Sequence, residues 1–143
     1  MEYKLYTWED FEKDLKIIDA IVKVEKFKSI AGVAFGGLPL ATTLKNKLGL
    51  TTRIVFASSY TDSHKRKQLK IKFGDLDKLI SPVLVVDDIT DSGNTLKAIS
   101  YYLSSKKIKF KTLVLFYKIS SKIEPDYRLN KVDVGTWVVF PWE

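Results

Sequence analysis

The sequence predicts an α/β fold: a mainly parallel, twisted sheet covered on both faces by helices. Three observations carry this. Short apolar runs at Ile30–Phe35, Arg53–Ala57, Val83–Val86 and Thr112–Tyr117 read as strands buried on both faces. Segments with apolar residues at helical spacing alternate with them. Three strands end in unusual residues: Gly36-Gly37, Ser58-Ser59-Tyr60 and Asp87-Asp88. In open α/β sheets ligands bind beyond the carboxyl ends of the strands, so these three segments are expected to line one cleft.

The elements follow in order. A helix opens at Thr7, where Thr7 and Asp10 form a capping-box pattern and Glu9, Asp10 and Glu12 suit the positive helix end. Phe11, Leu15, Ile18 and Val22 then recur on one face. After the strand at Ile30–Phe35, Gly36-Gly37 breaks the chain direction. Pro39 fits a first helical turn, Leu40, Ala41, Leu44 and Leu48 form its apolar stripe, and Gly49 ends it. Residues 58–70 are polar and basic and read as a long loop. The strand at Val83–Val86 delivers Asp87-Asp88. A helix from about Thr95 to Leu103 turns Leu96, Ile99 and Leu103 inward. Val134–Phe140 is a last extended segment.

At 143 residues and with hydrophobic residues at 45% and charged residues at 29%, the chain has the composition of one globular domain, not of a disordered or fibrous protein. There is no cysteine, which excludes disulfides, thiolate nucleophiles and iron–sulfur clusters. The single histidine, His64, excludes a histidine-rich metal site. No apolar run reaches the ~18 residues of a spanning helix, and Met1–Leu5 has no apolar leader core, so a cytoplasmic protein is expected. The net charge is +7, of which residues 62–72 alone hold +4. One basic segment implies an anionic partner: a small phosphate ligand, RNA or DNA.

The strongest signal is Leu84-Val85-Val86-Asp87-Asp88-Ile89-Thr90-Asp91-Ser92-Gly93-Asn94-Thr95. A buried strand delivers two carboxylates, then a loop of small and hydroxyl residues, then a helix start. Such a loop can wrap a phosphate: Gly93 permits close backbone approach, Ser92 and Thr95 offer hydroxyls, and free N–H groups at the helix start face the anion. The carboxylates can bind ribose hydroxyls or Mg²⁺. Asp91 sits inside the loop, where it could serve as a base. A Walker A loop and a dinucleotide fingerprint are both excluded by the missing lysine and glycine spacings.

This segment resembles the phosphoribosyl-pyrophosphate (PRPP) motif of type I phosphoribosyltransferases. The resemblance implies that fold, with a small hood from the terminal chain, in a single domain over residues 1–143. It places the core at about 29–117, a flexible loop at about 58–72 and a base-binding hood at about 118–143. Asp87, Asp88, Thr90, Asp91, Ser92, Gly93, Asn94 and Thr95 then bind PRPP, with Asp88 and Asp87 also holding the metal, Mg²⁺. Phe35-Gly36-Gly37 stands where the family contacts pyrophosphate, although purine members carry Arg or Lys at the position of Phe35. Ser59-Tyr60 resembles the start of the family's mobile loop, with Arg66 or Lys67 reaching the pyrophosphate.

The end of the chain resembles the hood of bacterial and archaeal xanthine-guanine phosphoribosyltransferases. The resemblance assigns Lys118 to the purine 6-oxo group, Trp137 to stacking and the Val138 carbonyl to the 2-position. A lysine donates to a carbonyl and cannot accept from an amine, so an oxopurine is favoured over adenine. Trp142 reads as packing. The implied reaction transfers phosphoribose from PRPP to a purine base in a homodimer or homotetramer, with Asp91 as general base. Nucleic acid is not the expected partner. A PRPP-sensing, nucleic-acid-binding regulator on the same scaffold, or an enzyme for another base, are the alternatives.

Overall fold

The computed structural model describes residues 1–143. Eight strands and three helices follow in the order β1 (Glu2–Leu5), α1 (Trp8–Glu25), β2 (Ser29–Ala34), α2 (Leu38–Leu48), β3 (Thr51–Thr61), β4 (Lys67–Lys72), β5 (Val83–Thr90), α3 (Asn94–Ser105), β6 (Phe110–Lys118), β7 (Tyr127–Val132) and β8 (Thr136–Val139). Six strands make the central sheet, in the order β4-β3-β2-β5-β6-β7. All neighbours are parallel except β3 and β4. β1 and β8 pair in parallel as a separate two-stranded sheet, which is the hood.

The period-two pattern of the strands divides the core. Ile30, Leu84, Val86, Leu113 and Leu115 face α1 and α2, where they meet Leu15, Ile18, Leu40 and Leu44. Ala31, Val33, Val83, Val85 and Val114 face α3, where they meet Leu96, Ile99 and Leu103. Each fully buried Leu or Ile contributes about 1.5–3 kcal/mol. The capping box at α1 is formed: the Asp10 N–H donates to Thr7 Oγ1 at 3.1 Å and the Thr7 N–H to Asp10 Oδ2 at 3.0 Å. α2 carries its proline in the first turn and ends at Gly49 with φ 67°.

Two expectations are corrected, and two strands are added. Residues 58–70 are not a loop: β3 continues to Thr61 and β4 begins at Lys67, joined as an antiparallel hairpin. The alternation that forms it is visible only as Ala57 and Ile71, which turn one face to the core while the other stays in solvent. Asp62 closes the turn by accepting from the His64 and Arg66 N–H groups and from the Arg66 and Gln68 side chains. Second, β5 runs to Thr90, so Asp87, Asp88 and Thr90 are strand residues, paired alongside Val114 to Tyr117. The added strands are Glu2–Leu5 and Tyr127–Val132, which no apolar run announces because each is short and lies at a sheet edge.

The hood is fastened to the core by a buried polar cluster. Tyr6 Oη donates to Asp14 Oδ2 at 2.6 Å, and the Tyr6 N–H donates to the Val139 carbonyl at 2.9 Å. The Asn130 amide donates to the same Asp14 oxygen and to the Leu115 carbonyl, both at 2.9 Å. Trp142 stacks on Phe140 at 5.0 Å and meets Tyr6, Trp8 and Phe11 edge-on, which makes it a packing residue. No helix is long and apolar enough to cross a membrane.

Candidate active site

The site lies where β2, β5 and β6 end. β2 runs out at Ala34, and Phe35-Gly36-Gly37 turns the chain into α2. The turn is fixed by the Gly37 N–H donating to the Val33 carbonyl at 2.8 Å. It lies close against β5: a Cβ on Gly36 would stand 2.1 Å from Asp88 Oδ2, which would have to move aside. A Cβ on Gly37 would stand 2.7 Å from the carbonyls of Val33 and Val86. The glycine pair and the aspartate pair, fifty residues apart in the chain, are therefore in contact.

Asp87 and Asp88 are half-buried side by side. Each Oδ1 accepts the N–H of the next residue, at 2.8 Å for Asp87 and 2.7 Å for Asp88. No cation neutralises either one. Loss of hydration pushes both carboxyls above the usual range, and the neighbouring Asp88 adds to the effect at Asp87. No group of three or more His, Cys, Asp or Glu converges anywhere in the chain. Two uncompensated carboxylates do not cage a metal. They fit a Mg²⁺ ion that takes its remaining ligands from water and from a substrate's oxygens.

After Thr90 the chain forms the loop Asp91-Ser92-Gly93 and enters α3 at Asn94. Gly93 is the N-cap, with φ 86°, and no side chain caps the helix. The Asn94 N–H meets Ser92 Oγ at 3.3 Å, and the N–H groups of Thr95 and Leu96 are left for an anion. A Cβ on Gly93 would stand 2.7 Å from Ser121 Oγ and 3.0 Å from the Ile123 N, so the 119–123 turn lies against the loop. The Lys122 N–H donates to the Ser92 carbonyl at 2.8 Å, and Lys122 Nζ reaches Asn94 Oδ1 at 3.3 Å. Nothing in the spacing of the sequence pointed to Ser121 or Lys122.

Lys118 ends β6 and is buried. Its Nζ lies 3.4 Å from Asp91 Oδ2 and 3.3 Å from the Val134 carbonyl. The expected base-binding lysine and the expected general base are thus neighbours. Trp137 lies on β8 beside Tyr3, with its side chain about half exposed, while the Val138 side chain is buried.

The basic segment is arranged differently from the sequence expectation. Arg66 lies in the hairpin turn, where its Nε pairs with Asp62 at 3.1 Å. Lys67 opens β4 beside Thr61, and Ser59 and Tyr60 are exposed along β3. Phe35 is exposed and meets Phe56 edge-on at 5.9 Å. It lines a cavity of about 350 Å³ together with Ser58, Lys70 and Lys72.

A glycine turn pressed on paired carboxylates, beside an uncapped helix start, defines a class: an α/β protein built to hold a phosphorylated sugar at the carboxyl edge of its sheet. Residues 12–143 match the family described as phosphoribosyl transferase domain, and the chain belongs to that family. It is 28% identical over 152 aligned positions to the xanthine-guanine phosphoribosyltransferase of Gluconobacter oxydans (strain 621H), covering 100% of this chain and 86% of that protein. The purine phosphoribosyltransferase from Pyrococcus horikoshii Ot3 superposes with a TM-score of 0.85 at 27% identity, over 100% of this chain and 95% of that one. The Helicobacter pylori xanthine-guanine-hypoxanthine phosphoribosyltransferase superposes with a TM-score of 0.85 at 32% identity, over 99% and 94%. The type I fold expected from the PRPP motif is the fold observed, and the chain is an enzyme of phosphoribosyl transfer.

Proposed function

We propose that this protein is a cytoplasmic purine salvage enzyme. It moves the 5-phosphoribosyl group from PRPP to guanine, xanthine or hypoxanthine, releasing pyrophosphate. The observation that carries the 6-oxopurine reading is the buried Lys118 ammonium beside Asp91. On a 6-oxopurine, O6 and N7 share one edge of the ring. Lys118 donates to O6, and Asp91 takes the proton that the base gives up at N7. The purine nitrogen N9 bonds to C1′ as the bond from C1′ to the pyrophosphate oxygen breaks. Adenine presents an amine where the lysine needs an acceptor. The names of the G. oxydans and H. pylori relatives support the same reading.

The remaining residues position the sugar. The Asp91–Thr95 loop holds the 5′-phosphate, Gly36 offers its backbone N–H to the pyrophosphate from the turn that Gly37 fastens to Val33, and Asp87 and Asp88 face the ribose hydroxyls. Asp87 and Asp88 would hold Mg²⁺, which when bound would supply positive charge for the departing pyrophosphate. Trp137 offers a flat face for the purine ring. Most of the rate then comes from orientation and electrostatics, since no nucleophile is present. Exposed Ile54 and Phe56 along β3, with Phe35 against Phe56, support a homodimer or homotetramer.

The test is a Mg²⁺-dependent assay with PRPP, offering guanine, xanthine, hypoxanthine and adenine in parallel. Oxopurine nucleotide and pyrophosphate are expected. Turnover of adenine alone would overturn the role given to Lys118.

A further inference from the structure

The turn after β6 touches the phosphate loop at three points. The Lys122 N–H donates to the Ser92 carbonyl, Ser121 and Ile123 lie within 3.0 Å of where a Gly93 Cβ would stand, and Lys122 Nζ reaches Asn94 Oδ1 at 3.3 Å. The last contact brings an ammonium to the first residue of α3. Lys122 makes no ion pair with any acidic side chain of this protein. Its only side-chain partner is a neutral amide oxygen, and it is exposed. Charge-assisted bonds from an ammonium to a phosphate are about twice as strong as neutral ones.

Lys118 and Lys122 belong to one short turn. The first stands beside Asp91 and the second beside Asn94. We infer that Lys122 is a substrate-binding residue for the 5′-phosphate, exchanging its Asn94 contact for the phosphate when substrate binds. The turn from Lys118 to Ile123 then reads both ends of the nucleotide, the base through Lys118 and the phosphate through Lys122. This rests on the proposed function.

The backbone geometry makes Lys122 suited to the task. Its N–H bond to Ser92 pins its Cα to the loop, so only the side chain has to be ordered on binding. Its exposure also lets it meet the incoming polyanion early, which favours phosphorylated over unphosphorylated ligands.

The experiment compares the wild type with Lys122→Gln and Lys122→Arg. Calorimetry reads the affinities for GMP and guanosine, and initial rates give KM for PRPP and for guanine. In Lys122→Gln, GMP affinity is expected to fall about tenfold, the value of one charge-assisted contact at an exposed site. KM for PRPP rises in parallel, guanosine affinity and the guanine KM stay within twofold, and Lys122→Arg restores most of the GMP affinity. GMP affinity unchanged in Lys122→Gln, while the wild type prefers GMP to guanosine, overturns the inference alone. Equal losses for GMP and guanosine also overturn it, by showing that Lys122 only supports the loop. A wild type that neither prefers GMP nor makes it overturns the proposed function, and the inference with it.

Discussion

The ammonium of Lys118 lies 3.4 Å from the carboxylate of Asp91, although 27 residues separate them in the chain. The pair joins two strands, since Asp91 follows β5 and Lys118 ends β6. The lysine is buried and the aspartate is largely exposed. On the proposed reading the two groups part to meet one purine edge, the lysine donating a hydrogen bond and the aspartate taking a proton. Without the base, each neutralises the other, which stabilises the buried ammonium.

Lys118→Met keeps much of the methylene volume and removes the charge. The exposed Asp91 and the Val134 carbonyl can turn to water. KM for the purine is expected to rise about tenfold or more, the loss of one charged hydrogen bond. KM for PRPP should stay within about twofold. Steady-state kinetics with each substrate varied separately decide it, and an unchanged purine KM excludes Lys118 from base recognition.

Asp91→Asn keeps the shape and removes the proton acceptor. If Asp91 is the general base, turnover falls by roughly 10²- to 10⁴-fold. The phosphate loop is otherwise held by Gly93 and by the Lys122–Ser92 backbone bond, so PRPP affinity should change by no more than about threefold. Rapid-quench turnover and equilibrium PRPP binding separate the two effects. A loss confined to affinity shows that Asp91 only binds.

Gly36→Ala and Gly93→Ala should fail in different ways. A Cβ at Gly36 meets the end of the Asp88 side chain, which can rotate away. Stability is expected to hold while Asp88 leaves its position, so PRPP binding falls at least about tenfold. A Cβ at Gly93 meets the backbone N of Ile123, and its φ of 86° strains any L side chain. That variant should lose about 1–3 kcal/mol of stability. Chemical denaturation alongside ligand binding distinguishes them, and two equal stability losses would contradict the assignment.

The legible parts of the sequence were those where a local rule acts alone. The α1 cap, the stop at Gly49 and the buried strands β2, β5 and β6 each follow from spacing within a few residues. The Asp87–Thr95 motif was equally plain, because a strand, a loop and a helix start fall in one run. The hairpin was hidden because only one of its faces meets the core, and lysines occupy the other. The strands β1 and β7 depend on partners far along the chain. Lys122 and Ser121 reach the phosphate loop through the β6 turn, a relationship set by topology with no trace in spacing. Arg66 illustrates the converse: a basic residue in a basic run is engaged by Asp62, four residues earlier.

The last prediction concerns the aspartate pair and its sign. Loss of hydration pushes both carboxyls up, and the close Asp88 charge adds to the effect at Asp87, which lies well above the usual range. A carboxyl whose folded-state pKa is raised holds its proton more tightly when folded than when unfolded. Stability is therefore highest below the ordinary carboxylate pKa of about 4 and falls as pH rises through the raised values. This is the reverse of an aspartate held by a salt bridge. Asp87→Asn removes the charged form and keeps the acceptor that receives the Asp88 N–H. The ligand-free variant should then melt higher than the wild type at pH 7.5, with the gap closing by about pH 4. The same substitution should abolish most turnover, since on the proposed reading the charge that destabilises the ligand-free site is the one that would meet the metal and the ribose. Thermal melts at the two pH values test this directly. A gap that is equal at both would trace the change to packing, and a lower melting temperature at pH 7.5 would show that the pair is not strained by its own charge.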